Sequence, residues 1–302
     1  MSVRLSVILV VYNMCREAPR SVQSCLAPYQ RDMNNDDYEV IVVENGSSEA
    51  LDGAAIEALG PNVRYIYLED APPSPARAIN MAAQAARGEV LAVMIDGAHM
   101  LSPGVLRFGL RCFDSFANPV VVTLPFFLGP GPQMETVANG YDEVAEDALL
   151  EQINWPQDGY RLFEISTPYR IEPNGYRPPL LWLVRQFESN CLFMRRDAFH
   201  QVGGCDERFD LPGGGILLPD LYRQLGRLED SSLVQLMGEA SFHQVHGGTS
   251  TNVTVAEQKQ KWQSYLRQYE AVRGEPYAVC KKPLHYFGHM PNEHARQLMI
   301  TG

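Results

Sequence analysis

The sequence has little lysine, no paired cysteines and no long apolar run. Only four of its 25 basic residues are lysines (Lys259, Lys261, Lys281 and Lys282), all near the C-terminus. The rest are arginines, whose planar fork suits phosphate and carboxylate, in ligands and salt bridges alike. A net charge of −11 argues against nucleic acid as the main partner. The six cysteines (Cys15, Cys25, Cys112, Cys191, Cys205 and Cys280) show neither a C-x-x-C pair nor regular spacing. That pattern fits free thiols in a reducing compartment. No apolar stretch approaches the length of a transmembrane segment. The first apolar run, 5–11, is strand-length and lacks the layout of a secretion signal. A cytoplasmic protein is expected, with peripheral contact at the inner membrane face left open. In that setting Asn45-Gly-Ser and Asn252-Val-Thr are chance sequons. There is no internal repeat and no low-complexity tract.

What is present is a rhythm. Apolar strand-length runs over 5–11, 38–43, 63–68, 90–95 and 120–127 alternate with helical stretches to about 28, then over 47–59, 75–87 and 103–116. Strands alternating with helices predict an α/β fold with a mostly parallel sheet covered on both faces. Right-handed crossovers bring the strand ends to one edge. Asn13, Glu44 and Asp96 each follow a strand, so they should share that edge. The run 90–95 is too apolar for a surface strand and stops abruptly at Asp96-Gly-Ala-His99. A carboxylate at the carboxyl end of such a strand stands where open α/β sheets bind ligands. With an imidazole three residues on, it could hold a metal–phosphate group; capping the next helix is its plainer role.

After residue 128 the rhythm breaks. Residues 140–153 read as an acidic helix. Residues 154–180 carry five prolines and several aromatics, and predict a flap or a packed excursion without long helices. Residues 189–194 read as a strand, and Gly213-Gly-Gly215 as a loop opening a helix at Pro219. Residues 254–272 read as a polar helix with Trp262, Leu266 and Tyr269 on one stripe.

Five segments then occur in a telling order: Leu5-Ser-Val-Ile-Leu-Val-Val-Tyr-Asn13; Val42-Val-Glu-Asn-Gly-Ser47; Pro75-Ala-Arg-Ala-Ile-Asn80 through Ala86-Arg-Gly-Glu89; Ile95-Asp96; and Phe193-Met-Arg-Arg through Val-Gly-Gly-Cys-Asp206. Together they resemble a family 2 glycosyltransferase of the GT-A fold, with good coverage over 1–128 and 189–248. The resemblance implies a Rossmann-like, mostly parallel sheet flanked by helices. It implies a nucleotide-sugar-binding half at 1–128, an acceptor-binding half at 129–250 with an inserted flap at about 140–185, and a C-terminal helical extension at 251–302.

It also implies transfer of a sugar, with inversion, from a nucleoside diphosphate (UDP by default) to a hydroxyl of a glycan or lipid-linked acceptor, as in polysaccharide biosynthesis. The alternatives are an impaired nucleotide-sugar-binding partner subunit or a sugar nucleotidyltransferase. Homo-oligomerisation stays open. By the same resemblance Tyr12 and Asn13 border the base, Glu44 faces uracil or ribose, and Arg77, Asn80, Asp96 and Gly97 meet the donor. Ser47 and Ser48 read as helix caps.

The chain departs from the family in two places. Position 98 of the Asp-x-Asp motif is Ala, so Asp96, His99 and His246 are the expected ligands of a divalent metal, Mn²⁺ or Mg²⁺. Nitrogen ligands favour Mn²⁺, and charge neutralisation by arginine alone is the metal-free option. If 240–245 is a strand, His243 and His246 point to opposite faces, and His246 is the one expected in the cleft. Gly247 and Gly248 could let backbone N–H groups approach phosphate. Leu217 and Leu218 stand where the family has Glu-Asp, so Asp220 is the expected catalytic base, with Glu188 in reserve.

Overall fold

The computed structural model describes residues 3–169, 181–187, 189–247 and 253–298. Among the described residues ten strands form one sheet: β1 Leu5–Val11, β2 Tyr38–Glu44, β3 Val63–Tyr67, β4 Val90–Met94, β5 His99–Leu101, β6 Pro119–Leu128, β7 Ser166–Pro168, β8 Leu192–Arg195, β9 Ser232–His243 and β10 Leu284–Gly288. Their order is β10-β9-β6-β8-β4-β1-β2-β3, with β5 on β9 and β7 on β6. The long strands run parallel except β8, which lies antiparallel between β4 and β6. The mixed, mostly parallel sheet expected from the sequence is thus present.

β1, β2 and β4 are buried along their whole length because helices cover both faces. Side-chain alternation divides β1 between two cores. Leu5, Val7, Leu9 and Val11 join the core containing Val22, Leu106 and Phe113. Ile8 and Val10 join the core containing Ile79, Phe209, Leu217 and Tyr269. A third, aromatic core joins Phe126, Phe163, Trp182 and Phe242. Each fully buried large apolar side chain contributes roughly 1.5–3 kcal/mol.

Several elements differ from expectation. Helix Ala18–Ser24 is short, and the stretch 47–59 is helical only over Gly53–Glu57. There the chain first makes an extended loop pinned to Glu44, and Asp52 caps the helix by accepting from the Ala54 and Ala55 N–H groups. The polar helix is Val255–Arg273, opened by a Thr254/Glu257 capping box. The C-terminal segment is not purely helical: β10 adds to the sheet edge beside β9. Gly238 makes this possible, since its left-handed backbone brings it so close to the His289 carbonyl that a Cβ would clash. No helix among the described residues is long and apolar enough to cross a membrane. Residues 170–180, within the expected flap, lie outside the described residues.

Candidate functional site

Strand ends dictate the site. β4 stops at Met94, and Asp96 folds back so that its Oδ1 accepts the Ala98 N–H at 2.8 Å. Gly97 is obligatory, because a Cβ there would meet Val11 Cγ1 at 2.3 Å. The chain then enters β5, whose register sets His99 opposite His243 of β9. Their rings meet edge to face at 4.7 Å. β9 ends at His243, so strand alternation does not carry through to His246. The expectation that the two imidazoles diverge fails for this reason. They converge instead, with Nε2 atoms 3.1 Å apart, and they lie 4.0 Å (His243) and 3.4 Å (His246) from Asp96 Oδ2. His243 therefore replaces His99 beside Asp96 and His246. One donor atom from each of these three lies within 4.8 Å of the others, and they are the set that could hold a metal ion.

The electrostatics follow from burial and proximity. Burial opposes ionisation of Asp96, but His246, His99 and His243 outweigh it and hold the carboxyl well below its usual range. Burial lowers His246, yet Asp96 outweighs that and holds the imidazole above its usual value. Burial pushes His99 down to about 4 in spite of Asp96. Burial, with His99 and His246 alongside, keeps His243 well below its usual value. Asp96 thus favours the charged form of its nearest imidazole, His246, while burial drives His99 and His243 toward the neutral form. Nδ1 of His99 and Nδ1 of His243 are buried with no hydrogen-bond partner among the described residues. Buried polar atoms left in that condition are uncommon away from ligand sites.

The loop carrying His246 is clamped from all sides. Gln244 N–H donates to the Ala98 carbonyl at 2.8 Å, and Gln133 Nε2 donates to the His246 carbonyl at 2.5 Å. Val245 N–H donates to Glu146 Oε2 at 2.7 Å, and Arg16 donates to the Val245 carbonyl at 3.1 Å. Arg16 also bridges Glu17, Glu146 and Asp147. Glu146 belongs to the acidic helix Glu143–Ile153, and its solvent exposure is 0%. Nothing in its sequence spacing marks it as a support for the site.

Asp96, His99, His243, His246 and Gly247 line a cleft of about 1210 Å³, together with Tyr12, Asn45 and Gly46. Tyr12 is exposed at the rim. Asn13, in the left-handed region, accepts from Ser48 and the Glu49 N–H and so shapes the neighbouring loop. Other expected donor contacts face elsewhere. Glu44 is buried and accepts from Ser47, the Leu51 N–H and Tyr65. It cannot turn to a base without abandoning those donors. Asn45, not expected from the sequence, lines the cleft in its place, and its Oδ1 has no partner among the described residues. The signal was its position in Val42-Val-Glu-Asn-Gly-Ser47. Asn80 is a clamp, accepting from Cys205 N–H and donating to the Cys205 carbonyl, both at 2.9 Å. Arg77 is an exposed helix residue outside the cleft lining.

The expected base is also committed elsewhere. Asp220 is buried, and both its oxygens accept from Arg273, at 2.8 and 2.5 Å, with Gln224 adding a contact at 3.0 Å. A carboxylate locked in an arginine fork is a structural ion pair. Glu188 and Gly248 lie outside the described residues.

Comparison with known proteins agrees with the fold. Residues 6–104 match the model of glycosyl transferase family 2. That stretch is a family 2 glycosyltransferase sequence. Similar solved structures share the fold. Staphylococcus aureus TarS 1–349 in complex with UDP is 14% identical, with a TM-score of 0.53 over 89% of this chain and 72% of that one. The same protein with UDP-GlcNAc is 13% identical, with a TM-score of 0.52 over 89% and 73%. The Pyrobaculum calidifontis mannosyltransferase PcManGT, in complex with GDP-Man and Mn²⁺, is 15% identical, with a TM-score of 0.55 over 92% and 66%. The chain spans 44% of a longer TarS structure. No curated protein matches the sequence.

Proposed function

We propose that this protein transfers a sugar, with inversion, from a nucleoside-diphosphate donor to a hydroxyl acceptor. The observation that carries the reading is the convergence of Asp96, His243 and His246 at the carboxyl edge of the sheet, inside the large cleft. Donors bound by the structural neighbours (UDP, UDP-GlcNAc and GDP-Man) support a nucleotide sugar as ligand. Asn45, Gly46 and Tyr12 form the wall for base and ribose. The partnerless Asn45 Oδ1 is available to an amide or hydroxyl donor.

The site's one oxygen and two nitrogen donors fit a divalent cation, and nitrogen favours Mn²⁺ over Mg²⁺. Asp96, His243 and His246 would hold it, and when bound it supplies positive charge at the donor diphosphate. The residues have work of their own. His246, drawn toward Asp96, would complete the ligand set and give up its proton when the cation binds. The neutral His99 packs on His243 and fixes its ring. The acceptor oxygen forms a bond to the anomeric carbon as the bond to the diphosphate breaks, and a base takes its proton. With Asp220 locked by Arg273, Glu188 is the remaining sequence candidate for that base.

Incubating purified protein with UDP- and GDP-sugars and Mn²⁺, with release of the nucleoside diphosphate as readout, tests the reading. Turnover supports it. Absence of turnover with intact nucleotide binding favours the non-catalytic partner subunit instead. Glu188→Gln should depress turnover while leaving donor affinity in place; equal turnover removes Glu188 from the role.

A further inference from the structure

We propose that Glu146 and Gln133 are positioning residues for the cation. Acting through the backbone of Val245 and His246, they hold the His246 imidazole beside Asp96 and His243. This inference rests on the reading of those three side chains as a cation site, and adds what builds it. Both residues lie outside the stretch 6–104 that matches the family model.

His243 and His246 reach the site by different means. His243 is the last residue of β9, and ladder pairing with His99 of β5 and Phe127 of β6 fixes its backbone. His246 stands three residues further on, past the end of the strand. Its place comes from side chains of other segments. The Glu146 carboxylate accepts the Val245 N–H on Oε2 at 2.7 Å and Arg16 Nη2 on Oε1 at 2.9 Å. The same guanidinium donates from Nη1 to the Val245 carbonyl at 3.1 Å. One acid and one arginine thus close on both backbone polar groups of the residue that precedes His246. On the other side Gln133, itself buried, donates from Nε2 to the His246 carbonyl at 2.5 Å.

These holds come from packed elements. Glu146 is fully buried, and Leu150 and Ile153 anchor its helix in the aromatic core. Asp142 caps that helix by accepting the Ala145 N–H at 2.9 Å. Burial pushes the Glu146 carboxyl up to about 7 against the pull of the Val245 N–H and Arg16, so an acid is kept here at a cost in desolvation. A metal ligand must be held within roughly 0.5 Å of its working position, and a loop beyond a strand end does not supply that by itself.

Mn²⁺ alone, titrated into the full chain and followed by the paramagnetic resonance of the free ion, tests this. Glu146→Leu keeps the bulk and accepts nothing. It should weaken Mn²⁺ binding by about tenfold or more, in protein with a native circular dichroism spectrum. Glu146→Gln keeps an acceptor for the Val245 N–H and should stay within about threefold of the wild type. A merely structural role would lower the melting temperature of Glu146→Leu and leave the Mn²⁺ affinity of the folded protein unchanged; that result would overturn the proposal. An equal loss in both variants would overturn it as well, because the effect would then follow the charge and not the hold on Val245. If Glu146→Leu does not fold, Gln133→Leu decides. It frees the His246 carbonyl and leaves Glu146 and Arg16 in place, so binding should weaken by about threefold or more; an unchanged affinity rejects the proposal. Absence of Mn²⁺ binding in the wild type would sink the cation reading and the positioning role together. Wild-type binding that the substitutions leave untouched removes the positioning role alone.

Discussion

Two acid–imidazole sites stand on the same strand, four residues apart, and they are built in opposite ways. Glu239 of β9 is fully buried. It accepts from Ser102 at 2.6 Å, the Gly104 N–H at 3.0 Å, Tyr160 at 2.7 Å and His289 at 2.7 Å. Its lone pairs are taken by the protein, so it holds β9 to the chain around residues 102–104 and to the β10 edge. Asp96, beside His243 of that strand, spends one oxygen on a turn and presents the other to two imidazoles in an open cleft. A saturated carboxylate holds a fold together, and an unsaturated one holds a ligand. Glu44 and Asp220 belong with Glu239 by this measure.

Substitutions can break or sharpen that contrast. The largest effect is expected for Asp96→Asn, which should lower transfer by about 10²–10³-fold while the circular dichroism spectrum stays native. Retained turnover would place Asp96 with the structural acids. Glu239→Gln should do the reverse, costing about 3 kcal/mol in chemical denaturation through unpaired buried donors, with the activity of the remaining folded fraction kept. An unchanged stability would mean that the network around Glu239 carries little.

Proton linkage is the next test. His246 is raised in the folded, metal-free protein, so its pairing with Asp96 contributes stability that is full below the ordinary value of 6.5 and lost as pH rises through the folded value. A metal must displace that proton. Mn²⁺ affinity should therefore climb with pH, by up to about tenfold per unit below the His246 value, and then level off. Affinity independent of pH between 6 and 8 would mean that His246 is not displaced. The smallest effect is expected for Arg77→Ala. As an exposed helix charge it should change stability by less than about 0.5 kcal/mol and leave the donor KM nearly unchanged. A large rise in KM would bring Arg77 back to the donor.

The sheet was readable because buried parallel strands are unbroken apolar runs, and 5–11, 38–43 and 90–95 announce themselves as such. Asp96 was readable for the same reason, as the acid at which such a run stops. Side-chain direction was not readable beyond the strand ends. Glu44 sits at the predicted edge yet turns inward, because Ser47, Leu51 and Tyr65 offer it three donors. Strand alternation points His243 away from the cleft only if it extends across residues 244–246, and the strand has already ended there. Asp220 reads as a free carboxylate in the sequence because its partner, Arg273, lies 53 residues away and nothing local announces it. Glu146, which grips the Val245 N–H from an acidic helix, is invisible for the same reason. β10 is hard to read from sequence because its residues are only half-buried or exposed and lack an apolar run.

The central claim is that Asp96, His243 and His246 form one cation- and diphosphate-binding unit. The most direct test is thermal unfolding of the wild type, His243→Ala and His246→Ala with UDP or GDP, with and without Mn²⁺. A Mn²⁺-dependent rise in melting temperature in the wild type that disappears in both variants is the predicted result. An equal Mn²⁺-dependent rise in all three proteins would contradict it.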